Sequence, residues 1–429
     1  MAFEQYLQIT SRRLRGDAPA LTSQAISQTI SFARIVLIVG LVFLHYEQYP
    51  DVSADPFSGM EASGHRLATF VNSFTLFFFF SVVPLLSMVS GWLFFSFDAG
   101  NASASLRQRI GRRFTSVYLP MVSWNVLYLA VLALLFVWNR AYPLLGQMNI
   151  RLGHASAMDF VNAIFGITAH PVGFQFWFVR DLFVTALVSP LLWLSLKHTP
   201  YLGMAFLGVA WIIGSDLLIF FRTDVVFFFY LGGFLRIRRV PLHIGRTTSW
   251  WLLVAYLVVV TLRTVAPLFI DLSAHRPELL TAATRSMRLL GVLACWGCFQ
   301  QWAQTRTGAA IARFGGLAFF LHSAHYPLIA EVKILLWPLL ASHADGWLIA
   351  HYVASVAITV AIGMSVGLVL ARRLPPVFAL MNGGRPGTGP QGAQKKLAPT
   401  KQAHTAPATG RAIDTATAQP PSAEDASNS

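Results

Sequence analysis

Arg34 and His45 share one apolar stretch near the start of the chain, with ten residues between them in SFARIVLIVGLVFLHYEQYP. If the stretch is helical, a rise of about 1.5 Å per residue sets the two polar groups roughly 16 Å apart along the axis. One then faces one side of a membrane and the other reaches toward the far side. Polar groups are costly in a spanning helix and by default mark a functional path. An imidazole, with an unperturbed pKa of about 6.5, suits a general base that takes a proton from a hydroxyl acceptor. The alternative reading is a helix-end histidine wetted at the interface.

Three other groups could do chemistry. Arg109, Arg112 and Arg113 stand in RQRIGRRFTSVYLPMVSWN. On a helix Arg109 and Arg112 share a face at i and i+3, where guanidinium forks can hold the phosphates of a nucleotide-bearing donor. They also read as anchors that snorkel to lipid headgroups. In WFVRDLF, Arg180 and Asp181 are adjacent within an apolar run behind Trp177. Neighbours on a helix point in different directions, so each is expected to find a partner on another helix. An interfacial aromatic belt with a tethering charge is the plainer option. His322 and His325 lie one turn apart in FFLHSAHYPL. Two such imidazoles without a carboxylate make a poor ligand set, so no metal is expected. Cys295 and Cys298, inside LLGVLACWGCF, read as small residues in helix packing rather than a zinc or redox motif.

These groups need elements to position them. With 55% hydrophobic residues, 12% charged residues and a mean hydropathy of +0.56, the chain is too apolar for a soluble domain and too long for one span. Its apolar segments are long runs, unlike the weak alternation of a membrane barrel. The expected fold is all-α, a polytopic helical bundle in the lipid bilayer. The net charge of +14 does not point to nucleic acid, because Lys and Arg cluster briefly between apolar runs, as in cytoplasmic loops. Charge alternation predicts ten spans, at about 31–50, 67–95, 115–138, 174–197, 201–221, 224–235, 250–270, 287–302, 314–340 and 347–371, with both termini cytoplasmic. Arg276, Arg285 and Arg288 are the exception, since the rule places them on the far side and charge alone gives no reason.

Residues 1–30 read as a cytoplasmic segment without a cleavable signal peptide, and 31–373 as the membrane domain. Residues 374–429, rich in Gly, Pro, Ala and Ser, read as a disordered cytoplasmic tail. No internal repeat is visible, which disfavours inverted-repeat transporter folds.

In order along the chain, these pieces resemble the acyltransferase-3 family of integral membrane acyltransferases. Arg34 and His45 match its arginine, ten residues, histidine signature. PLLSMVSGWLF, RIGRRFTSVYLPMVSWN, WFVRDLF, FFFYLGGFLR and AFFLHSAHYPL match its later segments, over about 31–335. His322 stands where a tyrosine is common, and no periplasmic SGNH-type domain is appended.

The resemblance implies an O-acyltransferase of the bacterial inner membrane that uses acyl-CoA, acetyl-CoA first, and acts on a periplasmic or envelope carbohydrate. Acetyl and succinyl are the acyl groups it suggests. His45 would be the base, oriented by Asp181 or His325. Arg34, Arg109, Arg112 and Arg113 would hold the CoA phosphates, and Trp177 and Arg180 would meet substrate. A pantetheine arm is about as long as the roughly 16 Å between Arg34 and His45. The rival class is a glycan or lipid-linked glycan transporter in which no bond is made.

Overall fold

The computed structural model describes residues 21–52, 55–61, 64–97, 99–270 and 277–388. The first twenty residues, Arg276 and everything beyond 388 lie outside the described residues. Among those described, all regular structure is helical.

Helix α1 (Ser23–Leu44) starts upstream of the expected boundary because Thr22 caps it, its Oγ1 accepting from Ala25 N at 3.1 Å. Arg34 therefore stands midway along α1, not near its beginning, and His45 is the residue that closes it. Next come α2 (Arg66–Phe79) and α3 (Val82–Phe94), then α4 (Ala102–Arg113), which passes through a π-helical turn at Phe114–Tyr118 into α5 (Leu119–Trp138). Short helices α6 (Pro143–Gln147) and α7 (Ala157–Phe165) lead to α8 (Phe176–Leu187) and α9 (Ser189–His198), which meet at a 60° bend. Pro190, in the first turn of α9, suits a helix start and not the interior of a continuous one.

The rest comprises α10 (Pro200–Ile213), α11 (Asp224–Ile237), α12 (Arg246–Val265), α13 (Pro277–Ala303) and α14 (Arg306–Ala312). The last three are α15 (Ala318–Leu336), α16 (Asp345–Arg373) and α17 (Pro375–Met381).

Each expected span contains helix, but the count of ten is not confirmed. Among the described residues, five helical stretches are long and apolar enough by length and composition to cross a membrane, six if the bent α8–α9 pair counts as one. Helices α10 and α11 have only 14 residues each, about 21 Å against a hydrocarbon core of about 30 Å. Helix α13 carries Arg285 and Arg288, and α15 is broken at Tyr326, whose backbone is extended (φ −118°, ψ 128°) ahead of Pro327.

Helices α3 and α11 approach at their backbones. A Cβ on Gly91 would stand 1.9 Å from Phe229 O, and one on Gly232 would stand 1.9 Å from Met88 O. Such close approach through small residues suits helices that gain no hydrophobic drive against each other in lipid. It fixes α3, which carries Ser90 on the turn beside Gly91.

Part of the expected tail has structure. Helix α17 follows α16, and Trp124 Nε1 donates to Met381 O at 2.9 Å. Gly383 and Gly384 then take positive φ of 64° and 70°, turning the chain back so that Arg385 enters the bundle. Ordered packing against the helices thus continues past residue 373, as far as Arg385.

Candidate active site

His45 and His325 meet at the C-terminal end of α1. His45 Nδ1 lies 2.7 Å from His325 Nε2, and the ring planes are within 5° of parallel. His325 Nδ1 lies 3.2 Å from Leu321 O. A carbonyl only accepts, so in the neutral ring Nδ1–H is the donor and Nε2 is left as acceptor. His45 must then donate through Nδ1–H, which leaves the lone pair on its own Nε2. One nitrogen is thus set by the bond the other makes, the arrangement that prepares an imidazole as a base.

Several groups hold this pair. The Tyr326 break leaves carbonyls of α15 without helical partners, and Gln175 Nε2 donates to Ser323 O and Tyr326 O at 2.8 and 2.7 Å. The Tyr128 hydroxyl also donates to Ser323 O. Lys333 Nζ bonds Tyr46 O at 3.0 Å, placing an ammonium just past the end of α1, where the helix dipole favours a cation. By the same tautomer logic, His351 Nε2–H donates to Lys333 O at 3.2 Å and Nδ1 accepts from Tyr46 OH at 2.9 Å. Phe174 closes one side, its ring 5.6 Å from that of His45.

A second feature is sunk toward the Ser23 end of the bundle. Arg34, Arg113, Arg385, Ser90 and His322 line a chamber of about 120 Å³, walled by Phe178, Val179, Leu182 and Phe319. That is room for roughly four waters, or for one slender chain. Arg113 Nη2 bonds Ser90 Oγ at 2.6 Å. Arg385 Nη1 bonds Ser116 O and Asn382 O at 2.8 and 2.9 Å, with its guanidinium 4.5 Å from the Phe319 ring centroid. Burial, with the Arg34 and Arg113 charges beside it, pulls the Arg385 pKa well below the usual arginine value. A bound anion would relieve that repulsion.

His322 connects the two features. It lines the chamber, is 3% exposed, and its ring lies 5.6 Å from that of His325. Neither of its nitrogens has a hydrogen-bond partner among the described residues. No group of three or more His, Cys, Asp or Glu among those residues is arranged to hold a metal.

Some expected site residues do other work. Arg109 donates to Leu93 O at 2.8 Å and Ser96 O at 3.1 Å, capping the end of α3. Arg112 is exposed, and neither residue lines the chamber. Only Arg113 of that cluster does. Asp181 does not reach the histidines either. It is fully buried, pairs with Arg180 Nη1 at 2.9 Å, and accepts from Phe221 N and Arg222 N at 3.2 and 2.8 Å. Arg180 also bonds Gly166 O and Ile167 O, each at 2.9 Å. The adjacent pair therefore bond each other and tie two loops to α8, in place of the separate interhelical partners expected. Trp177 is buried under the Arg222 guanidinium, 4.6 Å from its ring centroid. Cys295 and Cys298 are free thiols on α13.

Sequence reasoning missed Arg385, Ser90, Gln175 and Lys333. Only Arg385 had a signal, the glycine pair of NGGRPG, which marks a turn as readily as a linker.

A family model described as "Acyltransferase domain" (Acyl_transf_3) matches residues 28–368. The chain is similar to "Succinoglycan biosynthesis protein ExoH" of Rhizobium meliloti (strain 1021), 26% identical over 388 residues, covering 88% of this chain and 99% of that protein. No solved structure matches it significantly.

Proposed function

The chain belongs to the acyltransferase-3 family and is a multi-pass membrane acyltransferase; from that premise we propose that it moves an acyl group, acetyl or succinyl, from acyl-CoA to a hydroxyl of an envelope carbohydrate. The observation that carries this reading is the line from Arg34, Arg113 and Arg385 through His322 to the His325–His45 pair. The basic end suits the donor's phosphates, with Arg forks matching them bidentately. The chamber is too small for the nucleotide, which stays at its mouth, and wide enough for the slender arm.

At the other end His45 Nε2 accepts the proton of the acceptor hydroxyl as the oxygen attacks the thioester carbonyl. The C–S bond then breaks and the leaving thiolate takes up a proton. In this reading His325 is a positioning residue for His45. Trp177 and Arg180 shape the wall behind the substrate without touching it, and Arg109 and Arg112 serve the fold and the lipid surface. The basic loops support an orientation with the Ser23 end and both termini cytoplasmic and the His45 end periplasmic, in a protein of the bacterial inner membrane. The relative named for succinoglycan biosynthesis favours a polysaccharide or its precursor as acceptor.

The test is direct: purified protein in detergent, given radiolabelled acyl-CoA and a glycan acceptor, should release CoA thiol and label the glycan in equal amounts. Glycan binding without any consumption of the thioester would overturn the enzyme assignment in favour of transport.

A further inference from the structure

The arginines that charge alternation could not explain, Arg285 and Arg288, open onto a second cavity of about 440 Å³ that they share with Arg222 and Arg263. Among the described residues that line the cavity, one carboxylate stands against these four guanidiniums, Asp224, bonded to Arg222 Nη2 at 2.8 Å and Arg288 Nη1 at 2.9 Å. Arg263 spends its donors on Thr284 Oγ1 and the carbonyls of Ser58 and Phe57. Arg285 bonds the carbonyls of Trp211 and Ile212. Neither bond set cancels a charge. Arg288 is only 7% exposed, and its Nε has no hydrogen-bond partner among the described residues. Arg222 is exposed and Arg263 and Arg285 are half-buried, so the cavity faces solvent with a positive excess that guanidinium forks can present to an oxyanion.

The cavity adjoins the catalytic end. Ring contacts run from His45 to Phe174 (5.6 Å), Phe174 to His170 (5.9 Å) and His170 to Phe221 (4.3 Å), and Phe221 lines the cavity. Aromatic faces beside guanidiniums fit a sugar that carries negative charge. We propose that this cavity binds an oxyanion, a carboxylate or a phosphate, on the acceptor glycan, and so selects acidic acceptors while a hydroxyl on another sugar of the same glycan lies at His45. That the occupant is the acceptor rests on the acyltransfer reading above; that the cavity takes an oxyanion does not.

The test is binding to purified protein without any acyl donor. The probes are an oligoglucuronate, its carboxyl-reduced neutral counterpart, and a hexose 6-phosphate with its unphosphorylated hexose. Charged probes should bind about tenfold to a hundredfold more tightly than their neutral partners, the range for charge-assisted contacts. The preference should shrink as salt is raised. Which charged probe gains more identifies the group. Arg285→Gln should reduce the preference to within about threefold. If that variant does not fold, Arg222→Gln, whose side chain is 45% exposed, serves in its place. Equal affinity of the wild type for charged and neutral probes overturns the inference. A charged-probe preference in a protein that transfers no acyl group upholds the oxyanion site and sinks only the acyltransfer reading.

Discussion

His45 and His325 stand 2.7 Å apart although 280 positions separate them in the chain. Because His325 Nδ1 is committed to Leu321 O, the pair has one internally consistent neutral tautomer, with the lone pair of His45 on Nε2. His45→Gln keeps hydrogen bonding but cannot take a proton, so turnover should fall by roughly two to four orders of magnitude with donor KM nearly unchanged. His325→Ala should also lower kcat, and His325→Asn should recover part of it by again accepting from Nδ1–H. The double variant should be little worse than the more severe single one, as for groups acting as a unit. Near wild-type turnover in His45→Gln at matched expression would remove His45 from the chemistry.

The arginines of α4 should separate by function. Arg113→Ala and Arg385→Ala should each raise donor KM by about tenfold or more, and lysine at either site should restore little of it. Arg112→Ala should change nothing measurable. Arg109→Ala should lower stability by about 1–3 kcal/mol, since it leaves the carbonyls that end α3 without their donor. Steady-state kinetics with varied acyl-CoA, beside thermal melting in detergent, reads both effects; an unaltered donor KM in Arg385→Ala would empty the chamber of its assigned role.

Asp181→Asn should behave as a folding variant. It removes the charge that compensates buried Arg180 and weakens the grip on the Phe221–Arg222 turn. Breaking one partner of a buried pair costs about 3–5 kcal/mol. Melting temperature and yield should drop, while protein that does fold keeps most of its kcat. A fully stable but inactive Asp181→Asn would return this residue to the reaction.

Gly91→Val should prevent assembly of the bundle, because even a single Cβ would be 1.9 Å from Phe229 O. Size-exclusion profiles in mild detergent should show aggregate in place of the monodisperse peak. A well-folded Gly91→Val would mean that α3 and α11 have room to part.

Orientation can be read by reporter fusion. Fusions after Arg113 and after Arg239 should report cytoplasm, and one in the loop 139–173 should report periplasm, because short basic loops fix topology. A cytoplasmic signal from that loop would invert the donor and acceptor ends.

The sequence showed helices in the right order, because long apolar runs and their basic flanks are local signals. Its limits are equally physical. A shared face at i and i+3 told that Arg109 and Arg112 lie together, not where the face points, and here it turns to the end of α3 and to the surface. Apolar content also made α10 and α11 look like spans, although 14-residue helices are too short to cross unaided. That Arg34 shares one helix with His45 was legible, but its depth was not, since the Thr22 cap lies outside the apolar run. Arg385 was lost because a glycine turn and a linker share one composition. The tautomer of His45 needed Leu321 O, a contact that no spacing rule reveals.

The chamber takes one wall from α1 and another from the segment after α17. During synthesis α1 leaves the ribosome early, whereas Arg385 emerges only after the last long helix. A nascent chain therefore carries Arg34 and Arg113 without the third cation, and on the proposed reading its grip on a donor is complete only once Arg385 has emerged. A chain cut after Arg373 would retain all of its long apolar helices, yet Trp124 would lose its Met381 carbonyl and the chamber would stand open. Such a truncation would accumulate in the bilayer as an inserted but idle protein, so affinity tags belong beyond the turn that delivers Arg385 and never in place of it.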